Sequence, residues 1–307
     1  MIIRKDKKMK TPKILKQYKN GNVDITIYDN GTRVCENEEG IFDFEFPMSM
    51  DCKITNQCPM GCPMCHEMST PDGEHGNILD IEFINGLHEG TEIAIGGGAV
   101  TSHPDLIPFL EKLKSKGIIP SITVHQKEYL KNEDLIDYLV ENKLIYGLGI
   151  SFAEFDDEFW SKALKNPNVV VHLIAGLHGG DVFKYFTEKN AKILILGYKD
   201  FGRGHDFKKK ANTIINIQIR WLKNNIKELM SKYDVISFDN LALSQLEIKK
   251  VLTDEQWKVF YQGDDGTSTM YVDLVKQEFA ATSTSVQRYP LLSNIEDMFK
   301  IVKTQKK

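Results

Sequence analysis

Met50-Asp51-Cys52-Lys53-Ile54-Thr55-Asn56-Gln57-Cys58-Pro59-Met60-Gly61-Cys62-Pro63-Met64-Cys65 carries the feature around which the rest of the chain is arranged. Its first half, Met50–Thr55, has the character of a short strand. Its second half gathers three cysteines, two prolines and a glycine into one loop. Thiolates this close repel one another unless something positive neutralises them, and a metal or an iron–sulfur cluster does so.

From residue 50 the chain alternates strand-like and helical runs. Met50–Thr55 is followed by an expected helix over Ile78–His88, and strand Thr91–Ile95 by helix His103–Lys116, apolar at Leu106, Phe109, Leu110 and Leu113. Strand Ser121–Val124 precedes helix Asn132–Asn142. Strand Ile145–Phe152 precedes helix Asp156–Lys165, and strand Asn168–Ala175 precedes helix Asp181–Asn190. Strand Lys192–Leu196 leads to a long helix over Ala211–Tyr233, apolar at Ile215, Ile219, Leu222, Ile226 and Leu229. Six βα units in a row predict an α/β fold with a parallel sheet, either a partial (β/α)6 TIM-like barrel or an open doubly wound sheet. Periodicity does not separate the two.

Before this core, the alternation of Val23–Tyr28, the Asn30-Gly31 turn and Thr32–Glu36 predict a β-hairpin appendage within residues 12–46. The lysine-rich Arg4–Lys19 and the basic tail Lys303–Lys307 are expected to be solvated ends. After Tyr233 the pattern weakens to a strand Val235–Phe238, a helix Asp254–Phe260, a turn between strands at Gly263–Gly266 and a hairpin of Met270–Leu274 with Glu278–Thr282. The expected divisions are a basic segment and hairpin (1–49), a core (50–240) and an α+β extension (241–307).

Three chemistries suit the cysteine loop. A structural zinc needs four ligands; the triad supplies three, Cys52 lies within a strand, and His66 adjoins Cys65 too closely to help. A redox pair of Cys62 and Cys65 leaves Cys58 idle. A [4Fe–4S] cluster on three thiolates leaves one iron open for another ligand. The position of the loop, past the C-terminal end of the first parallel strand, is where such folds bind ligands.

Cys58-x3-Cys62-x2-Cys65 resembles the signature loop of the radical S-adenosylmethionine (SAM) superfamily. The resemblance implies a partial (β/α)6 barrel and one [4Fe–4S] cluster held by Cys58, Cys62 and Cys65, with SAM chelated at the open iron. It also implies reductive cleavage of SAM to a 5′-deoxyadenosyl radical that abstracts hydrogen from substrate, with a reductant such as flavodoxin or ferredoxin. Gly96-Gly97-Gly98-Ala99-Val100-Thr101-Ser102-His103-Pro104-Asp105-Leu106 is similar to the family's glycine-rich motif, but Ala99 and Val100 stand where Glu-Pro is usual. By resemblance, Gly97 and Gly98 meet the SAM amino group, Met64 packs on adenine in place of the usual aromatic residue, Ser151 contacts ribose or carboxylate, and Ala175 and Gly176 flank adenine. The resemblance spans roughly residues 50–240.

Other residues expected beyond strand ends are His125, Gln126, His178, Tyr198, Lys199, Asp200, Arg203, Asp239 and Asn240. Lys199 and Arg203 suit a carboxylate or phosphate, and Tyr198 suits hydrogen-atom or proton donation, so these three are the candidate catalytic residues. His66 and His75 suit structural hydrogen bonds, and Cys35 a half-buried strand position. No cysteine follows Cys65, which leaves no ligands for an auxiliary cluster.

Composition bounds the rest. The 307 residues are 41% hydrophobic and 27% charged, with a net charge of −4, as in a soluble globular protein with no general affinity for nucleic acid. Five cysteines, four of them in one stretch, do not form a secreted disulfide framework. No apolar run has the length of a membrane span or signal peptide, so a cytoplasmic location is expected. The substrate is open between a peptide or protein, suggested by the late hairpin, and a nucleotide or RNA, suggested by the basic N-terminal segment. The rival function is a non-catalytic iron–sulfur or zinc-binding scaffold.

Overall fold

The computed structural model describes residues 11–304. The earlier part of Arg4–Lys19 and the end of the tail Lys303–Lys307 lie outside that range. In chain order the strands are β1 (Ile14–Asn20), β2 (Val23–Tyr28), β3 (Arg33–Glu36), β4 (Ser49–Thr55), β5 (Glu92–Gly97), β6 (Ile119–His125) and β7 (Gly147–Ser151). They continue with β8 (Val169–Ile174), β9 (Ile193–Leu196), β10 (Ile236–Phe238), β11 (Thr269–Asp273), β12 (Glu278–Ala280) and β13 (Tyr289–Pro290).

Two compact units divide these elements. The first comprises Pro12–Gly61, Ser69–Leu148 and the chain from Gly263 on. It holds the antiparallel sheet β1-β2-β3 and strands in the order β6-β5-β4-β11-β12-β13. There β6, β5, β4 and β11 run parallel, and β12 and β13 antiparallel. The second comprises Cys62–Met68 and Gly149–Gln262, with strands in the order β7-β8-β9-β10, of which β8, β9 and β10 are parallel. The α/β reading with a mostly parallel sheet therefore holds. Among the described residues no helix is long and apolar enough to cross a membrane.

Strand alternation sets the core. Met50, Cys52 and Ile54 of β4 are buried on one face, as are Ile93 and Ile95 of β5. The helix Leu106–Ser115 lays Leu106, Phe109, Leu110 and Leu113 into the core at the expected spacing. On the opposite face of β4, Lys53 makes a buried ion pair with Asp273 of β11, Nζ to Oδ2 at 3.2 Å. The other carboxylate oxygen of Asp273 accepts from the backbone N–H groups of Val275 and Lys276, so the charge is satisfied from two sides.

Several expectations change. The N-terminal hairpin is a three-stranded sheet, because Ile14–Asn20 pairs along β2 through a tight turn at Gly21, whose φ is +59°. Its lysines mark a strand, not a frayed end. Lys303 is also held, its Nζ bonding the Asp43 carboxylate and the Phe44 carbonyl. Ile78–His88 is helical only over Glu82–Asn85. The Asn77 side chain accepts from the N–H groups of Leu79 and Asp80, which turns the chain before a helix can start. The long helix spans Arg203–Lys232 and begins eight residues before the expected Ala211, its first turns being polar and outside the apolar stripe. The late hairpin forms, and its β11 also lies parallel to β4.

Replacing Asp273 by Ala leaves the Lys53 ammonium buried without its partner and is expected to cost about 3–5 kcal/mol in chemical denaturation. Desolvation pushes His172 and His178 down to about 4. An unfolded histidine binds its proton near 6.5, so between those values the unfolded chain holds more protons and stability rises with pH. Thermal unfolding is expected to shift to lower temperature on going from about pH 7 to about pH 5, and the shift to shrink in His172→Gln.

Candidate functional site

The strand β4 ends in a backbone that is paired on both sides. On one side, the N–H of Gly98 donates to the Thr55 carbonyl at 2.8 Å and the N–H of Ala99 to the Gln57 carbonyl at 2.7 Å. On the other, Asn56 N–H donates to Glu74 O, Cys58 N–H to Thr70 O, and Thr70 N–H to Asn56 O. The Ser69 hydroxyl bonds the Asn56 side chain, and the Thr55 hydroxyl stands 2.9 Å from His75 Nδ1. The returning segment Ser69–Gly76 is thus a strap that closes the base of the cysteine loop.

This packing dictates the glycines. A Cβ on Gly97 would lie 2.4 Å from the Thr55 carbonyl oxygen, and φ there is +113°. A Cβ on Gly98 would lie 2.2 Å from the Gln57 oxygen, and one on Gly73 would lie 2.0 Å from the Asn56 oxygen. Only a missing side chain permits these approaches. His103 stands behind the same turn. Its Nε2–H donates to the Gly76 carbonyl and its Nδ1 accepts from the Asp105 backbone N–H.

In the second unit, Cys62–Met68 lies against Tyr198–Gly204. Arg203 donates from its backbone N–H to the Cys65 carbonyl at 3.2 Å and from Nε to the Cys62 carbonyl at 3.3 Å. Lys199 Nζ is 3.1 Å from His66 Nε2, which also meets the Glu67 carboxylate at 3.1 Å. A Cβ on Gly202, at φ +55°, would lie 2.4 Å from the His66 carbonyl, and one on Gly204 would lie 2.3 Å from that of Lys199. Gly202 and Gly204 escaped the sequence reading; a Gly-x-Gly ahead of a long helix was their signal.

Other candidates prove to be committed to the scaffold. Tyr198 is buried, and its hydroxyl donates to the Gly204 carbonyl at 2.6 Å. Its backbone exchanges two hydrogen bonds with the Gln245 side chain. Asp239 accepts from Gly197 and Ala242, which ties the end of β9 to the next helix. His125 caps the helix Gln126–Lys131 in a capping box with Glu128, so His125 and Gln126 do not form an open loop. His178 accepts from the Ile174 N–H, and Asp200 is held by His205 and Lys208. Ala175 is buried, and the place of a Cβ at Gly176 is taken by Ile215 and Ile219, which accounts for that glycine without a ligand. Ser151 ends β7 half-buried.

The thiols divide by surroundings. Cys52 is buried, and desolvation, then Asp273 and Asp51, push its pKa up to about 12. Cys35 is half-buried, its sulfur 3.6 Å from that of Met48. Cys58, Cys62 and Cys65 are all partly accessible, and Gly61 between them faces open space at φ +66°. Three accessible thiols in a loop with an unfilled flank fit a thiolate-bound group in donor type. Among the described residues no three His, Cys, Asp or Glu side chains converge as a ready-made metal site.

Compared by sequence, the chain matches no family model and no curated protein. Compared by structure, it resembles radical SAM enzymes over most of its length. Against SuiB of Streptococcus suis bound to S-adenosylmethionine, the TM-score is 0.57 at 11% identity, covering 93% of this chain and 89% of that one. Against SuiB bound to its precursor peptide SuiA, it is 0.56 at 11%, covering 84% of this chain and 65% of that one, so the chain spans just under two thirds of that relative. Against anSMEcpe with bound AdoMet and Cp18Cys peptide, it is 0.51 at 15%, covering 84% and 80%. At these identities the likeness is one of fold.

Iodoacetamide is expected to label Cys58, Cys62 and Cys65 of the native metal-free protein and to spare Cys52 until it is unfolded, as peptide mass mapping would show. Gly98→Ala is expected to destabilise the fold by about 1–3 kcal/mol in denaturant titration, because the Gln57 carbonyl must move.

Proposed function

We propose that this chain is a radical SAM enzyme, with Cys58, Cys62 and Cys65 holding one [4Fe–4S] cluster and SAM as its co-substrate. One observation carries the proposal: a three-thiol loop directly follows β4 in a chain whose fold resembles SAM-bound SuiB over 93% of its length. When bound, such a cluster supplies an iron with an open coordination position and a single electron for the sulfonium of SAM. In this proposal the parallel strands form the partial (β/α)6 barrel typical of that fold.

The chain's own residues bind and orient. The strap and the Gly97–Ala99 turn fix the start of the thiol loop before any cofactor arrives. Gly97 and Gly98 present bare backbone at the end of β5, where carbonyls replace the missing carboxylate at Ala99 and Val100 in meeting an ammonium group. Met64 offers an apolar, polarizable surface within the loop, and Ser151 a hydroxyl at a strand end. Ala175 and Gly176, which follow β8, keep the adenine-flanking role in this proposal, while the Tyr198 hydroxyl is taken by the Gly204 carbonyl. A peptide or protein is the better-supported substrate class, because SuiB and anSMEcpe are seen with peptides bound. A one-electron donor such as flavodoxin or ferredoxin completes the system.

Anaerobic reconstitution with iron and sulfide tests the proposal. A brown protein is expected, bleached by dithionite and converting SAM to 5′-deoxyadenosine. Alanine at Cys58, Cys62 or Cys65 is expected to abolish colour and product, and Cys35→Ala to leave both. A colourless protein, or one that binds zinc and forms no 5′-deoxyadenosine, refutes the enzyme reading in favour of a scaffold.

A further inference from the structure

Arg203 stood out in the sequence as a cation for a substrate carboxylate or phosphate. The structure spends it differently. Its backbone N–H and its Nε donate to the carbonyls of Cys65 and Cys62, two residues whose thiols are partly accessible. These two bonds span the internal turn of the loop, in which Cys65 N–H donates to Cys62 O at 3.2 Å. The glycines on either side have no room for a side chain, Gly202 against the His66 carbonyl and Gly204 against the carbonyls of Lys199 and Met64. The Tyr198 hydroxyl locks the far side of the same turn onto Gly204. Three residues at the head of the long helix, Gly202, Arg203 and Gly204, are therefore shaped to the backbone of Cys62–His66.

We infer that Arg203 is a positioning residue that clamps the Cys62–Cys65 segment, and that its fixed positive charge makes a cluster held there easier to reduce. The inference rests on the proposed [4Fe–4S] reading for its second half. One electron from an external donor adds one negative charge to the cluster and its thiolates. A guanidinium hydrogen-bonded to the peptide carbonyl of a ligand residue is half-buried and always protonated, so it stabilises the more negative, reduced form. The backbone bond from Arg203 N–H to Cys65 O survives any change of side chain, so substitution separates charge from scaffold.

The test compares wild type with Arg203→Gln and Arg203→Lys in two measurements. In the cluster-free proteins, the rate of iodoacetamide labelling at Cys62 and Cys65, read at the alkaline plateau of its pH profile so that the lost charge does not change the thiolate fraction, is expected to rise roughly fivefold in Arg203→Gln, the effect of one lost hydrogen bond, with Cys58 labelling as an internal reference. In the reconstituted proteins, a redox titration with dithionite, followed by the electron paramagnetic resonance of the reduced cluster, is expected to place Arg203→Gln at a more negative midpoint than wild type. Arg203→Lys is expected to return close to wild type because it keeps the charge. Equal labelling rates in wild type and Arg203→Gln would overturn the clamp. Equal midpoints with all three clusters loaded would overturn the electrostatic role. A wild-type protein that takes up no cluster refutes the proposed function instead, and the labelling rates then decide the clamp alone.

Discussion

Everything at the candidate site hangs on the backbone of Thr55–Cys58. Its N–H and C=O groups are paired with Gly98 and Ala99 on one side and with Thr70 and Glu74 on the other. Peptide groups need partners, and here they find them in two stretches of chain at once. That arrangement admits no side chain at Gly73, Gly97 or Gly98. It also sets the direction in which the chain leaves β4, and with it the place where Cys58 begins the loop. Beneath it, the Lys53–Asp273 pair joins β4 to β11, and the Lys53 stem fills the space under Gly97.

The second unit solves a parallel problem with different means. Cys62–Met68 has no strand of its own to pair with. It is held by hydrogen bonds from the first residue of a thirty-residue helix and by two glycines that let the backbones touch. Polar side chains near strand ends mostly serve the same purpose. Tyr198, Asp239, His125 and His178 each satisfy a backbone group of a neighbouring turn. These four side chains are thus occupied in holding turns of the scaffold.

The strand and helix order from Met50 to Leu196 was legible because parallel strands buried on both faces leave short apolar runs, and amphipathic helices leave a stripe such as Leu106, Phe109, Leu110 and Leu113. The cysteine triad was legible because thiols at such spacing have no packing explanation. The third strand of the N-terminal sheet was not, since its lysines disguise a period-two pattern. The early start of the long helix was hidden for a similar reason: its first turns are polar and are held by contacts to the cysteine loop. The strap and the Gly202–Gly204 turn arise from chain segments that meet only in space, and such meetings leave no periodicity. A single glycine in a sequence does not say what it must avoid.

The glycines after β5 and the cysteines after β4 look like two words of one signature, yet they answer to different causes. Gly97 and Gly98 are required by carbonyl oxygens of this chain, at 2.4 and 2.2 Å from where their side chains would be. Under the proposed function the thiols answer instead to a bound group. Under that proposal, a descendant that abandoned the cofactor could shed all three cysteines and still be unable to part with the glycines. In such a lineage the glycine run would persist as a fossil of the fold, and only the thiols would record the trade.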